Sequence, residues 1–137
     1  MLILLPILVQ MSEPAIECGD FDTQTEMTMC AGRRYEAADQ ALNEQWSATR
    51  AVMRELDASM EGHADGRPSH FETLLEGQRA WLAYRDAQCR LEGYDARGGS
   101  MEPMIVNFCL EHVTRERTEE LRQLTVNQVS GEPQGRK

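Results

Sequence analysis

The chain has 137 residues and a formal net charge of −9. This length is enough for one domain with a modest hydrophobic core, which covalent cross-links would help to stabilise. An acidic surface repels nucleic acids and anionic lipids, so the composition argues against both as partners. The charge either attracts a basic protein or only keeps a small protein soluble, and composition does not choose between these two roles.

The N-terminal segment Leu2 to Val9 is apolar except for Pro6. It is too short to span a bilayer, but it matches the apolar part of a secretory signal peptide. No Lys or Arg precedes it, and Ala15 is the best candidate for a cleavage site. Residues 1–17 are therefore expected to be a signal peptide-like, irregular leader; the alternative is an N-terminal strand that is disordered or packed on the domain. Glu17 stands where a lipoprotein signal needs a small residue, so we expect no firm membrane anchor.

Three segments carry apolar residues at the spacing of three or four that is typical of amphipathic helices. They run from about residue 23 to 60, from 70 to 93 and from 101 to 126. No segment shows the alternation of a strand. The pattern predicts an all-α fold, a three-helix up-down-up bundle with one long N-terminal helix. The helical domain is expected at residues 18–126, followed by a disordered tail at 127–137 that is polar and contains Gly and Pro.

Helix starts and breaks support these bounds. Thr23 precedes Glu26 by three residues, and Ser69 precedes Glu72 by the same spacing. Both pairs have the pattern of a capping box. The loop between the first two helices, Glu61 to Ser69, contains two Gly and one Pro. Gly98-Gly99-Ser100 predicts a tight turn before the third helix, with Ser100 as a candidate cap.

The second helix has an unusual residue on its predicted inward face. That face consists of Phe71, Leu74, Leu75, Gln78, Trp81, Leu82, Arg85 and Cys89. A buried arginine needs a charged partner. Asp39 lies beside core positions of the first helix, so we predict a structural ion pair between Asp39 and Arg85. The alternative is that Arg85 is a binding-site cation.

The four cysteines, Cys18, Cys30, Cys89 and Cys109, allow three disulfide pairings. If helices two and three form a hairpin, Cys89 and Cys109 lie at similar heights on facing sides. This geometry favours the pairs Cys89–Cys109 and Cys18–Cys30, and disulfides in turn favour an oxidising, exported location.

Metal binding and thiol chemistry are the competing roles for these cysteines. Zinc sites usually bring cysteines in close pairs, and no two here are nearer than twelve positions. His112 lies one helical turn from Cys109, which is the one hint of an activated thiol. The histidines lack a ligand spacing, and no carboxylate pair stands out from the charged helix faces. We therefore expect no metal, no cofactor and no catalytic residue.

A set of motifs in chain order resembles a known family. The motifs are Cys18, Thr25-Glu26-Met27, Cys30, Tyr35 to Asp39, Leu42-Asn43, Gln78 to Asp86, Cys89, Gly98-Gly99-Ser100, Cys109, Thr114, Arg117 and Leu121. Over roughly residues 18 to 124 the chain resembles the LprI-like lysozyme-inhibitor family. The resemblance implies an exported, mostly periplasmic bacterial helical domain whose named activity is inhibition of lysozyme.

Several residues are candidates for contact with a protein partner. Trp81 and Tyr84 are either core aromatics or exposed anchors, since interfaces favour Trp, Tyr and Arg. Asp86, beside Arg85, lies either on a solvated helix face or within reach of a basic partner. Gly98, Gly99 and Ser100 either serve turn chemistry alone or form a loop that enters an enzyme cleft.

The resulting functional hypothesis is a periplasmic or secreted binding protein that is not an enzyme. Its partner is a protein, with a lysozyme as the first candidate, and docking would use a basic lysozyme surface or cleft. The alternative is a protein-interaction or structural module of the cell envelope without lysozyme activity.

Overall fold

The computed structural model describes residues 16–20, 23–60 and 65–130, except for the side chains of residues 129 and 130. Within these ranges the chain forms three α-helices and a short 3₁₀ turn, with no β-strand: α1 is Gln24–Ser59, α2 is His70–Gly93, and α3 is Glu102–Ser130. The predicted all-α fold is confirmed. The predicted leader, up to residue 15, and the last seven residues of the predicted tail lie outside the described residues.

The first helix is long because nothing interrupts its apolar period. It contains 36 residues, which corresponds to about 54 Å at 1.5 Å per residue. Thr23 caps it with extended backbone and a hydroxyl that accepts a hydrogen bond from the N–H of Glu26, at 3.2 Å. The helix closes at Met60, whose N–H donates to the carbonyl of Leu56 at 3.0 Å.

The second helix begins with the predicted capping box. The Ser69 hydroxyl accepts from the N–H of Glu72, and the Glu72 carboxylate accepts from the N–H of Ser69, both at 3.1 Å. A second carboxylate reaches the same helix start from α1, since Asp57 accepts from the N–H groups of His70 and Phe71 at 2.8 and 3.0 Å. These bonds satisfy N–H groups that a helix start otherwise leaves without partners.

The contacts between helices give the topology. Residue numbers in the contacts between α1 and α3 increase along both helices, from Gln24 with Met104 to Thr49 with Leu121, so these helices are parallel. Contacts of α2 with α3 run in opposite directions, which makes that pair antiparallel. The result is the up-down-up bundle that the helix periods predicted.

The core has two parts. One cluster is formed by Leu42, Met53, Leu74 and Leu121, and the other by Cys89, Cys109 and Val113. Trp81 is partly buried and packs against both clusters. Between α1 and α3, Ala31 and Ala38 are fully buried, and such small side chains let two helices approach closely. The buried Glu111 of α3 pairs there with Arg34 of α1, at 2.9 Å.

Both disulfides form in the predicted pairing. Cys18 is bonded to Cys30, which ties the irregular segment 16–20 to the first turns of α1. Cys89 is bonded to Cys109, which joins the end of α2 to α3. None of the helices in the described ranges is both long and apolar enough to cross a membrane.

The structure departs from the predicted elements in two places. The third helix continues to Ser130 instead of ending at Val126, because the next helix breaker is Gly131 and because Thr125 is held by Thr49, with 2.8 Å between their hydroxyl oxygens. Leu82 was predicted to face inward, but it is 38% exposed. The buried row on α2 is narrow, and Leu82 lies at its edge.

Candidate binding surfaces

The predicted tight turn between α2 and α3 is exposed and contains its own hydrogen bonds. A 3₁₀ turn, Tyr94–Ala96, follows α2 directly. Gly98 has a φ of 77°, a left-handed conformation that glycine adopts without steric cost. Its N–H donates to the Glu102 carboxylate at 2.8 Å, and the N–H of Gly99 donates to the carbonyl of Ala96 at 2.8 Å. Gly98, Gly99 and Ser100 are all exposed, and the helix starts at Glu102 rather than directly after Ser100.

The base of this turn is fixed to the bundle. The Cys89–Cys109 disulfide lies just below it. A Cβ on Gly93 would be 2.6 Å from Cγ2 of Val106, so only glycine fits where the end of α2 meets α3. Above this contact, the Arg97 guanidinium lies 4.4 Å from the centre of the Tyr94 ring. These contacts tie the base of the turn to the bundle, which favours the preorganisation that lowers the entropy cost of binding.

The end of the bundle that carries this turn is strongly acidic. Gln24 of α1 contacts Met104 of α3, and Gly93 of α2 lies against Glu102, so the segments 23–26 and 92–102 share one end. The Cys18–Cys30 disulfide holds the segment 16–20 beside the first turns of α1, near the same end. These segments contain six carboxylates: Glu17, Asp20, Glu26, Glu92, Asp95 and Glu102. Arg97 is their one Lys or Arg residue. Elsewhere in the described chain many carboxylates are paired with arginines, as in Glu111 with Arg34.

Arg85 lies inside the bundle rather than on a binding surface. It is 8% exposed, and its Nη1 atom lies 3.7 Å from Asp39 Oδ1 and 3.4 Å from the Thr114 hydroxyl. Its guanidinium is 5.1 Å from the centre of the Trp81 ring and 5.6 Å from that of Tyr35. Burial raises the pKa of Tyr35, and the positive charge of Arg85 partly opposes that rise. A partner could reach Arg85 only by breaking these contacts.

The other candidates on α2 separate into two groups. Trp81 belongs to the core, whereas Tyr84 is 58% exposed. Asp86 is exposed and accepts a hydrogen bond from Arg85 Nε at 3.0 Å. The structure therefore brings Asp39, Trp81, Arg85 and Asp86 together, and it leaves Tyr84 and the Gly98–Ser100 turn on separate surfaces.

Sequence reasoning did not find the exposed apolar row to which Tyr84 belongs. Gly77, Ala80, Tyr84, Ala87 and Leu91 follow one another at spacings of three and four, and all are exposed. Leu91 is 61% exposed. This spacing could have been read from the sequence, but the core-facing row on α2 has the same period, and the sequence alone does not show that a helix carries two such rows.

A groove at the opposite end of the bundle also escaped sequence reasoning. It has a volume of about 1150 Å³, with Met53, Leu74 and Leu124 among its apolar lining and Arg117 among its charged lining. Its residues come from all three helices and from the loop before α2, so no local motif predicts it. In the described ranges no three His, Cys, Asp or Glu side chains come together in a way that could hold a metal ion.

Comparison with known proteins identifies a relative of this chain and the family that it matches. The chain is 41% identical over 119 residues to an uncharacterized protein of Rhizobium meliloti (strain 1021), covering 87% of this chain and 84% of that protein. No solved structure matches it. Residues 17–121, which contain both disulfides and the Gly98–Ser100 turn, match the family described as Lysozyme inhibitor LprI. The chain therefore belongs to the LprI lysozyme-inhibitor family.

Proposed function

We propose that this protein is an exported lysozyme inhibitor. The acidic end of its bundle, which carries the Gly98–Ser100 turn, docks on the basic surface or cleft of the lysozyme. The observation that carries the proposal is the concentration of six carboxylates at the end of the bundle that carries an exposed, hydrogen-bonded turn. Arg97 is the one Lys or Arg residue in the segments 16–20, 23–26 and 92–102. Membership of the LprI family supports a lysozyme as the partner. The two disulfides fit an exported protein, and we propose a periplasmic or secreted location.

Charge and shape would contribute differently to this docking. The acidic end would speed the encounter with a basic protein, and the fixed conformation of the turn would limit the entropy lost on binding. Gly98, Gly99 and Ser100 would enter the cleft, because they project from the end without large side chains. Arg85 and Trp81 would support the helix that carries the turn rather than touch the partner.

The test is a titration of the oxidised domain, from about Ala15 onward, against chicken-type, invertebrate-type and goose-type lysozymes. Cell-wall clearing and binding heat are followed together. We expect saturable binding and inhibition of at least one type, and both should weaken as salt concentration rises. If the protein, with both disulfides verified, neither binds nor inhibits any of these lysozymes at low salt, the proposed lysozyme inhibition is wrong.

A matched pair of variants locates the surface. Glu92→Gln with Asp95→Asn removes two charges from the acidic end, and Glu44→Gln with Glu55→Gln removes two charges from the exposed side of α1. We expect the first variant to bind several-fold more weakly and the second to bind as the parent does. Equal losses in both variants would show that net charge, and not the turn end, governs binding.

The second candidate function is a protein-interaction module of the cell envelope without lysozyme activity. The exposed apolar row on α2 favours it, since a solvent-facing apolar row on a folded helix is a common feature of interaction surfaces. Failure of the lysozyme titration together with binding of a different envelope protein, other than a second copy of this chain, on α2 would support this second function.

A further inference from the structure

Helix α2 carries an apolar row that the described part of the bundle leaves exposed. The row consists of Gly77, Ala80, Tyr84, Ala87 and Leu91, and it is separate from the buried row that contains Arg85 and Cys89. Its spacing of three and four matches the contact face of paired helices. Tyr84 and Leu91 are more than half exposed, although they are the two large apolar side chains of the row.

The charges beside this row are arranged symmetrically about Ala83. Glu76 lies seven residues before Ala83 and Arg90 lies seven residues after it, so all three share one side of the helix. All three are exposed, and among the described residues neither Glu76 nor Arg90 forms an ion pair. On this side, the helix therefore presents the negative charge of Glu76 and the positive charge of Arg90 at equal distances from Ala83.

We propose that the α2 face binds a second copy of the same chain, with the two α2 helices antiparallel and crossing near Ala83. A two-fold axis at this point places Glu76 of each copy beside Arg90 of the other. A parallel arrangement would instead place Glu76 beside Glu76 and Arg90 beside Arg90, which is repulsive. The charge pattern thus selects both the occupant and its direction.

The apolar row is centred on Tyr84, one residue from the crossing point that the charges define. Ala80, Ala83 and Ala87 lie around the crossing point, where small side chains allow close approach of the two helices. The two copies of Tyr84 are then offset by about 3 Å along the helix axis. Their rings can still pack against each other, and aromatic pairs of this kind add to the energy of area burial. Leu91 lies within about 3 Å along the helix axis of Gly77 of the second copy, where the missing side chain leaves room for it.

The contact is limited in size. From Gly77 to Leu91 the helix is about 21 Å long. One helix face of this length buries less surface than a standard stable interface, so we expect a reversible dimer that dissociates on dilution. The acidic turn ends would lie at opposite poles of such a dimer, so self-association and lysozyme binding can be tested separately.

The test measures the oligomeric state of the oxidised domain by sedimentation equilibrium from micromolar to millimolar concentration. We expect a monomer–dimer equilibrium for the parent. Glu76→Arg and Arg90→Glu should each raise the dissociation constant about tenfold or more, because each change turns two attractive pairs into two repulsive pairs. The double variant should recover most of the parent's dimer, since the pairs are restored with exchanged signs.

Two further variants keep the result interpretable. Ala83→Arg places a long charged side chain at the crossing point and should leave the protein monomeric with unchanged helix content, because Ala83 is exposed. Glu55→Arg makes the same charge change as Glu76→Arg on the exposed side of α1 and should leave the dimer unchanged. A parent that stays monomeric up to millimolar concentration, or a double variant as monomeric as the single ones, would overturn the proposal.

Discussion

Arg85 Nη1 lies 3.7 Å from Asp39 Oδ1, and this ion pair joins α2 to α1 near the middle of the bundle. The two partners differ in environment, since Arg85 is buried whereas Asp39 is half-buried. The guanidinium is also covered by Trp81 and Tyr35, and it donates to Thr114. Arg85 therefore stabilises the bundle through stacking and hydrogen bonds as well as through charge.

Replacement of Arg85 tests this role. We expect Arg85→Ala to lower the free energy of unfolding by about 1–3 kcal/mol, because stacking and hydrogen bonds are lost while Asp39 and Asp86 can be rehydrated. Arg85→Lys should recover only part of this loss, since an ammonium group lacks the planar fork of a guanidinium. Urea unfolding measures both.

The control for these variants is Arg79→Ala, at an exposed position of the same helix. Its free energy of unfolding should stay within about 0.5 kcal/mol of the parent value. An Arg85→Ala protein as stable as the Arg79→Ala protein would show that the buried contacts of Arg85 make no net contribution.

A pair of glycine variants tests the close contact below the turn. Gly93→Ala should destabilise the protein by about 1–3 kcal/mol, because the new Cβ would be 2.6 Å from Val106 Cγ2, and a valine in a helix has little freedom to move. At Gly32 a Cβ would be 3.6 Å from Asn107 Nδ2, an ordinary contact distance. Gly32→Ala should therefore stabilise α1 by about 0.5–1 kcal/mol.

Thermal unfolding of the two glycine variants measures the difference. The melting temperature should fall for Gly93→Ala and rise for Gly32→Ala. A lower melting temperature in both variants would mean that the contact of α1 with α3 also tolerates no added volume. A melting temperature that falls in neither variant would mean that α2 shifts easily against Val106.

The link between Asp57 and the start of α2 predicts a response to acid. Hydrogen bonds from the Phe71 and His70 N–H groups, together with the His70 ring, hold the pKa of Asp57 below its ordinary value of 3.8. A carboxyl whose pKa is lower in the folded state adds stability above its unfolded pKa. That contribution is lost as the pH falls below about 3.8 and through the lower folded value.

Asp57→Asn isolates this contribution. At neutral pH the variant should melt at a lower temperature than the parent, and the two melting temperatures should converge as the pH falls below 3.8. Glu55→Gln removes a nearby exposed carboxylate. Its melting temperature at neutral pH should not fall below that of the parent. A constant difference between the parent and Asp57→Asn at every pH would contradict the link.

The sequence by itself determined the helices, their order and the disulfide pairing. Helix period and capping depend on residues three or four positions apart, so they can be read locally, as at Ser69 and Glu72. The pairing of Cys89 with Cys109 could be predicted because a short turn between two helices places these two cysteines at similar heights on facing sides. A charged residue on an apolar face, Arg85, also pointed to Asp39, because burial of a charge requires a partner.

Tertiary structure alone decided which helix faces are exposed and which carboxylates gather at one end of the bundle. Leu82 and Tyr84 both fit a helical period, and only the narrow contact of α2 with its neighbours leaves both exposed. The acidic end brings Glu17 and Glu26 together with Asp95, which lies about 70 residues further along the chain. Periodicity describes the faces of one helix, whereas exposure and charge clustering depend on how three helices pack, which no local pattern contains.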